Sequence, residues 1–357
     1  MRKFVETANA VGRTTKKNEK IRLIGELFTA LSVADAALAA QFLTGRAFPQ
    51  FEERVVGIGG SSLARAVAEA AGRAGENLGK IYREHGDLGD MAEELLREIR
   101  GESGLTLQRV ADLFRDLSAA RTQVQKDELL RVAFASGSAG DVKYIVKILT
   151  GDLRIGSKES LVEEAIAKAF ERSAAAVRRA NMFLGDIGDT LKLAAEDKLE
   201  SATLRLFHPL GFMLASPVET AAELFTENNA KAVYVEHKFD GIRAQVHKDA
   251  SGKVKIFSRT RDEVTEFPEL NTTLAGLPGE LILDGEILGW RGSQPLAFTE
   301  LQQRLGRKKV DFWLAQDIPV KFIAFDVLFE NGELLLDLPL SERKGRLRLI
   351  LDRKSVV

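Results

Sequence analysis

Residues 236–243 have the sequence Glu236-His237-Lys238-Phe239-Asp240-Gly241-Ile242-Arg243. Four of them are charged, and they lie close in sequence to one glycine. The Asp-Gly pair lies between two strand-like runs, residues 232–239 and 242–248, and such a pair is a strong signal for a β-hairpin turn. Taken alone, the stretch fits a solvated turn and a reactive lysine beside an arginine equally well.

The residues around this stretch predict an antiparallel sheet. Further strand-like runs cover residues 253–259, 280–288 and 320–329, and residues 298–305 have helical spacing. Seven of the eight prolines fall between residues 209 and 339, where loops and strand ends tolerate them. The second half of the chain is therefore predicted to be an α+β domain.

The first 200 residues predict helices. Only Pro49 precedes residue 209, and apolar residues recur at helical spacing, for example in residues 21–31, 107–117 and 142–149. Ser160 and Glu163 predict a capping box at the start of a later helix. Helix-breaking prolines at 209 and 217 mark a change of domain. The predicted divisions are a helical domain at 1–205, a linker and domain start at 206–230, and a second domain at 231–357.

Composition excludes several classes of chemistry. The net charge is −1, and residues 1–200 hold 30 Lys+Arg against 30 Asp+Glu, so nucleic-acid contact would have to come from local patches. The chain has no cysteine, which excludes disulfides, thiol catalysis and cysteine-bound zinc within it. No signal peptide or run of membrane-spanning length is evident, so we expect a cytoplasmic protein without membrane contact.

Three later stretches accompany residues 236–243. They are Ser258-Arg259-Thr260 at a strand end, Leu283-Asp284-Gly285-Glu286-Ile287 with an acid inside an apolar strand, and Phe325-Asp326 inside another. In this order the four stretches resemble motifs I, Ia, III and IIIa of the covalent nucleotidyltransferases. That group comprises the DNA ligases, the RNA ligases and the mRNA capping enzymes.

The resemblance implies a role for each residue. Lys238 would attack the α-phosphate of ATP and carry AMP, with Mg²⁺ bridging the phosphates. Glu236 would read the adenine amino group, Arg243 and Arg259 the ribose or phosphate, Glu286 a ribose hydroxyl or metal-bound water, and Phe325 would stack on adenine. A free lysine is almost wholly protonated at neutral pH, so partial burial and neighbouring cations are expected to lower the pKa of Lys238.

Three of these residues also have a structural alternative. Arg243 would otherwise form a surface ion pair with Glu236 or Asp240. Glu286 would form a core salt bridge with Arg259, because a buried carboxylate is costly without a partner. An aromatic residue on a strand is usually core, so Phe325 alone would indicate packing.

Residues 149–159 have the glycine spacing of a P-loop, but Ser157 stands where the lysine belongs and a helical run precedes them. They resemble instead the GDLRIG turn in the helical DNA-binding domain of archaeal and eukaryotic-type DNA ligases. Residues 45–49, 56–60 and 181–188 resemble other turns of that domain. Because glycine-rich turns present backbone amides to phosphates, the expected DNA contacts are Arg154, Gly156 and Lys158.

The whole chain thus resembles an ATP-dependent DNA ligase that seals 5′-phosphate/3′-hydroxyl nicks. The resemblance implies nicked double-stranded DNA as substrate, a monomer at the nucleoid, and a sliding clamp or repair proteins as further partners. The sequence stops at Val357 without the family's motif IV acid, motif V lysines, or OB-fold with motif VI. We therefore expect a C-terminally incomplete chain that binds nucleotide poorly and seals little.

Other functions remain open at this point. An RNA ligase or capping enzyme shares the lysine motif but not the long helical N-terminus. An NAD-dependent ligase would need a nicotinamide-binding segment, which is not evident. A DNA-binding or scaffold protein with a degenerate ligase domain is the alternative from another class.

Overall fold

A computed structural model describes residues 1–49, 51–52, 54–73, 78–98, 104–226, 233–305 and 312–352. Its contacts divide the chain into two compact units, Met1–Thr203 and Leu204–Val357.

The first unit is helical, as its apolar spacing predicts. Its described helices are α1 (Arg2–Arg13), α2 (Lys17–Thr29), α3 (Val33–Leu43), α4 (Gly60–Ala70), α5 (Leu78–His85), α6 (Leu88–Leu96), α7 (Leu107–Ala119), α8 (Gln123–Ser136), α9 (Ala139–Leu149), α10 (Glu159–Ala169), α11 (Ala174–Leu184) and α12 (Ile187–Ala195), followed by a 3₁₀ turn at Leu199–Ser201.

Polar caps and aromatic packing define these helices. Capping boxes begin α8 at Thr122 and α9 at Ser138, where each side chain accepts a backbone N–H of the first turn. In the core, Phe42 packs edge-on against Phe4 and Phe114. The capping box predicted at Ser160 is wrong, because α10 begins at Glu159, before that serine, and its N-cap is Lys158.

The second unit is built on an antiparallel sheet. Its strands are β1 (Ile242–Lys248), β2 (Val254–Ser258), β3 (Leu281–Arg291), β4 (Gln294–Pro295), β5 (Val320–Glu330) and β6 (Glu333–Leu334), in the order β2-β1-β3-β5-β6, with β4 paired to β3. Its helices are α13 (Ala221–Thr226), α14 (Pro268–Ala275), α15 (Phe298–Leu301), α16 (Phe312–Asp317) and α17 (Leu340–Asp352), with a 3₁₀ turn at Gln302–Arg304. The strands predicted at 242–248, 253–259, 280–288 and 320–329 are confirmed.

The predicted hairpin at Asp240-Gly241 is wrong. Residues 233–239 are not in a strand, and β1 pairs with β2 and β3 instead; position 232 lies outside the described residues. Neither Asp240 nor Gly241 has a positive φ. Gly241 is needed for space, since a Cβ there would press against the Ile287 carbonyl oxygen and the Leu288 side chain of β3.

One face of the sheet forms the core of this unit. Ala244, Val246 and Leu283 point into it, together with Phe267 from the start of α14 and Leu347 from α17. Across the part of the chain that the structure describes, no helix is both long enough and apolar enough to span a bilayer.

Candidate active site

The strand register brings the charged motif residues to one face of the sheet. Arg243 on β1 is paired with Glu286 on β3, and Gln245 is paired with Asp284. Directly opposed residues of an antiparallel pair point to the same side. Asp284 also faces Asp326 on β5, and the pairing of β3 with β5 shifts register immediately after it. Residues 39 to 43 positions apart in sequence are therefore neighbours.

Arg243 is the most connected residue of this face. Its Nε and Nη2 donate to the two carboxylate oxygens of Asp284 at 3.2 and 2.7 Å, and its Nη1 donates to the Met213 carbonyl at 2.9 Å. Its guanidinium carbon lies 5.5 Å from the Phe325 ring centre and 5.2 Å from that of Phe212. The expected alternative of an ion pair with Glu236 or Asp240 is wrong, because Asp284 binds the guanidinium.

The two acids of β3 lie in an electrostatically unusual environment. Burial raises the pKa of Asp284 above its ordinary value, against the opposing effect of Arg243. Burial also raises the pKa of Glu286, opposed by the hydrogen bond from the Gly241 N–H and by the charges of Arg243 and Lys238. The bond from Gly241 to Glu286 Oε1 is 3.1 Å long. A core salt bridge between Glu286 and Arg259 is not among the ion pairs of the described residues.

Two neighbouring cations, Arg343 and Lys344, lie on α17. Lys344 Nζ donates to a carboxylate oxygen of Glu236 and, at 2.5 Å, to the backbone carbonyl of Phe325. Next to it, Arg343 donates to both carboxylate oxygens of Asp326, at 2.9 and 3.0 Å. Through Lys344, the segment that carries Glu236 and Lys238 is connected to the strand that carries Phe325.

Lys238 is exposed, so the partial burial expected for it is not present. The reason is that residues 233–239 do not join the sheet. Its charge nevertheless acts on Glu286, where it opposes the rise in pKa that burial causes. Arg259 is exposed as well, immediately after the Ser258 that pairs with Ala244. The fold thus brings Arg243, Glu286 and Phe325 together and leaves Lys238 and Arg259 at the edge of this face.

The acids of this face do not form a preassembled metal site. Among the described residues, no group of three or more His, Asp or Glu side chains is arranged to hold a metal ion. Arg243 and Arg343 occupy the carboxylates of Asp284 and Asp326. Among the hydrogen bonds of the described residues, Glu286 accepts only the Gly241 N–H, so its carboxylate fits as a single ligand to a metal ion bound mainly by other groups.

In the first unit, the three expected DNA contacts lie together between α9 and α10. Gly156 has φ 64°, and Lys158 is the exposed N-cap of α10. Arg154, with φ 53°, donates to the Gly86 carbonyl at 2.7 Å and pairs with Asp152 and Asp87 at 3.2 and 3.5 Å. Part of its guanidinium therefore holds the turn in place.

Comparisons with known protein families give a match for each half of the chain. The description "DNA ligase N terminus" matches residues 1–167, and "ATP dependent DNA ligase domain" matches residues 212–357. The chain belongs to the ATP-dependent DNA ligase family. A probable DNA ligase of Koribacter versatilis is 48% identical over 349 residues, which cover 97% of this chain and 60% of that protein. A DNA ligase of Methanothrix thermoacetophila is 32% identical, over 99% of this chain and 66% of that ligase.

The chain therefore spans about two thirds or less of the length of these ligases. A solved structure titled Pmar-Lig_Pre. matches over 99% of this chain and 64% of the solved chain. The identity is 14% and the TM-score is 0.54, which shows a shared fold.

Three residues of this candidate site were not predicted from the sequence. Asp284 carried a usable signal, because its alternation with Glu286 places both on the face of Arg243. Phe212 and Lys344 carried none, since a loop phenylalanine and a lysine in a helix are common in any protein. Only the fold brings them to Arg243 and Phe325.

Proposed function

We propose that this chain carries the adenylation site of an ATP-dependent DNA ligase, with Lys238 as the residue that becomes linked to AMP. The observation that carries the proposal is the convergence of Arg243, Glu286 and Phe325 on one face of the sheet, with Lys238 close enough to influence Glu286. A purine suits an aromatic face, and ribose and phosphate oxygens suit a guanidinium and a carboxylate.

The proposed reaction has three transfers. The lone pair of the Lys238 amine attacks the α-phosphorus of ATP, a P–N bond forms, pyrophosphate leaves, and the nitrogen releases a proton. An oxygen of a DNA 5′-phosphate then attacks the same phosphorus and the P–N bond breaks. Finally the 3′-hydroxyl attacks the activated 5′-phosphate and AMP leaves.

The other residues would bind and orient the nucleotide. Phe325 would stack on adenine, Glu236 would accept a hydrogen bond from its amino group, and Arg259, exposed at the end of β2, would contact ribose or phosphate. Glu236 is now paired with Lys344, so adenine would compete with that lysine. Mg²⁺, with Glu286 as its single protein ligand, would neutralise the phosphate charge that develops as pyrophosphate leaves.

The proposal assigns DNA binding to the first unit. Residues 1–205 would grip nicked duplex DNA, with Arg154, Gly156 and Lys158 near its phosphates; residues 206–230 would connect to the adenylation domain at 231–357. The exposed glycine-rich turn ahead of α10 supports this assignment, because amides at a helix start suit phosphate. A protein with this substrate would work at the nucleoid in the cytoplasm, in replication or repair.

Intact-mass measurement after incubation with ATP and Mg²⁺ tests the nucleophile. We expect a mass gain of one AMP that is absent in Lys238→Ala. Lys255, a half-buried lysine of β2 that pairs with Glu263, offers a control, and Lys255→Ala should retain the adduct. An adduct that persists in Lys238→Ala would refute the assignment. NAD in place of ATP should give none.

Competition between nicked DNA and nicked RNA tests the substrate. We expect AMP to pass from the isolated adduct to the 5′-phosphate of nicked DNA and not to that of nicked RNA. Preferential transfer to RNA would favour the RNA ligase alternative. DNA binding without any adduct would favour a scaffold.

A further inference from the structure

A stretch without helix or strand precedes the sheet of the second unit. We define residues 207–213 as the entry segment. Three side chains of β1 bind it at successive points. His247 Nδ1 accepts the Phe207 N–H at 3.0 Å, Gln245 Oε1 accepts the Leu210 N–H at 2.8 Å, and Arg243 Nη1 donates to the Met213 carbonyl at 2.9 Å.

These three side chains alternate along β1, so they share the sheet face that carries the candidate active site. Two of them are polar residues in a fully buried position, since His247 is 0% and Gln245 1% exposed. Buried polar groups are costly unless each has a hydrogen-bond partner. The entry segment provides a partner for both.

The hydrogen bonds fix the protonation of the histidine. A backbone amide only donates, so Nδ1 of His247 carries no proton and Nε2 carries it. Nε2 then donates to Gln245 Oε1 at 2.7 Å, and that oxygen accepts from Leu210 as well. The histidine and the glutamine therefore act as one connected group.

The backbone of the entry segment is strained at its first residue. Phe207 has φ 67°, which is unfavourable for a residue with a side chain. Lys253 Nζ lies 4.8 Å from the centre of its ring. Strain of this kind persists only where the surroundings impose the conformation. Here the bond to His247 and the cation over the ring impose it.

The other end of the entry segment reaches the active site. The half-buried Phe212 ring lies 5.2 Å from the Arg243 guanidinium carbon, on which the Phe325 ring also packs at 5.5 Å. The next residue, Met213, is 83% exposed, so core packing does not hold this end. Among the described residues, Arg243 holds this end through its bond to the Met213 carbonyl and its contact with the Phe212 ring.

We propose that Phe212 is a second aromatic wall of the adenosine site, and that Gln245 and His247 are positioning residues that hold the entry segment so that Phe212 and Arg243 stay in register. The inference rests on the proposed function for the identity of the nucleotide. Gln245 and His247 are separated from the ligand and act through the entry segment.

Two variants remove the buried acceptors, namely His247→Leu and Gln245→Met. His247→Asn tests for rescue, because its side-chain oxygen lies near the place of Nδ1 and accepts the Phe207 N–H. Phe212→Leu removes the proposed wall from a half-buried position where folding is less at risk. Val246→Ala is the matched control, since Val246 is 0% exposed on the opposite face of β1 and faces the core.

The first measurement is hydrogen exchange of residues 205–214 with and without ATP. We expect the Phe207 and Leu210 amides to exchange at least about tenfold faster in His247→Leu and Gln245→Met than in Val246→Ala, as lost hydrogen bonds do. ATP should slow exchange around Phe212 in the parent chain. Equal exchange in all variants would show that β1 does not hold the segment.

The second measurement is the rate of adduct formation against ATP concentration. His247→Leu, Gln245→Met and Phe212→Leu should raise the ATP concentration for half-maximal rate about fivefold, roughly the effect of one hydrogen bond, and leave the maximal rate within about twofold. His247→Asn should recover most of the loss. A half-maximal concentration that stays at the value of Val246→Ala in all three would overturn the inference while the adduct still supported the proposed function.

The two ideas fail separately. If the parent chain forms no adduct, the proposed function fails. The inference is then tested by whether ATP slows hydrogen exchange in the entry segment. Protection that weakens in the three variants would support it. Exchange that ATP leaves unchanged in the parent chain would refute it.

Discussion

Asp284 holds Arg243 by both of its carboxylate oxygens, at 3.2 and 2.7 Å, from the strand that also carries Glu286. The arginine is only partly exposed, with a side-chain exposure of 26%, against 10% for the aspartate. A paired guanidinium offers fewer free donors to a nucleotide than the sequence suggested. Its planar group is instead fixed against the rings of Phe212 and Phe325.

Asp284→Asn should slow adduct formation about tenfold at low ATP. The variant loses the charge that binds both nitrogens of Arg243, and charge-assisted bidentate bonds are the stronger kind. The rate of adduct formation against ATP concentration checks this. Glu333→Gln is the control, because Glu333 of β6 is 53% exposed and pairs with Arg346 of α17. An unchanged rate in a folded Asp284→Asn protein would show that Arg243 does not depend on the aspartate.

Stability should fall as the pH drops below about 6.5. Burial lowers the pKa of His247 from 6.5 to about 3, and the nearby His208 acts in the same direction. The unfolded chain binds a proton near pH 6.5, whereas folded His247 stays neutral until about pH 3. The free energy of unfolding should therefore lose roughly 1.4 kcal/mol per pH unit from this residue.

Denaturant unfolding at pH 6.5, 5.8 and 5.0 measures the slope of the unfolding free energy against pH. These pH values lie mostly above the range, at about 4, in which carboxylates titrate. We expect His247→Asn to remove this component and His208→Asn to keep most of it. Equal slopes in the parent chain and His247→Asn would contradict the prediction.

Arg304→Lys should destabilise the second unit by roughly 2–3 kcal/mol. Arg304 is 0% exposed and donates to Glu269 at 2.5 Å and to the carbonyls of Ile318 and Glu266 at 3.0 and 2.9 Å. The ammonium group of a lysine does not reproduce this planar arrangement of donors. Arg291→Lys, at a side chain 59% exposed, should change stability by less than about 0.5 kcal/mol in the same thermal or denaturant assay. Equal effects of the two would refute the prediction.

Gly241→Ala should destabilise the second unit by roughly 2 kcal/mol or more and should disturb Glu286. The new Cβ would meet the Ile287 carbonyl and the Leu288 side chain, and backbone gives way poorly. Gly345→Ala is the opposite case, because among the described residues no heavy atom beyond its chain neighbours and the backbone of α17 lies within 4 Å of its Cβ position. There alanine should stabilise by up to about 1 kcal/mol. A Gly241→Ala protein as stable as the parent would contradict this reading of the contact.

The sequence predicted most of what depends on local pattern. β1 has the predicted bounds, Ile242–Lys248, because its alternation and its neighbours agree. The residues before it were predicted wrongly. Asp-Gly suits a hairpin turn by its φ preference, but Gly241 serves close packing against β3, which only the tertiary structure reveals.

In the candidate site, too, some features could be predicted from the sequence and others depend on the tertiary structure. Arg243, Glu286 and Phe325 follow from motif order, whereas the ion pair of Glu236 with Lys344 joins residues 108 positions apart, a separation that leaves no local trace. The exposure of Lys238 could not be predicted either, because it depends on whether residues 233–239 join the sheet.

Because side chains alternate along β1, the register of this strand decides which of them face the core. Ala244 and Val246 face the core, while Arg243, Gln245 and His247 face the entry segment. Inserting or deleting one residue would turn every side chain beyond the change to the opposite face. Cations and amides would enter the apolar interior as the entry segment lost its partners. Length variation should therefore be found in the turn at residues 249–252 rather than within the strand.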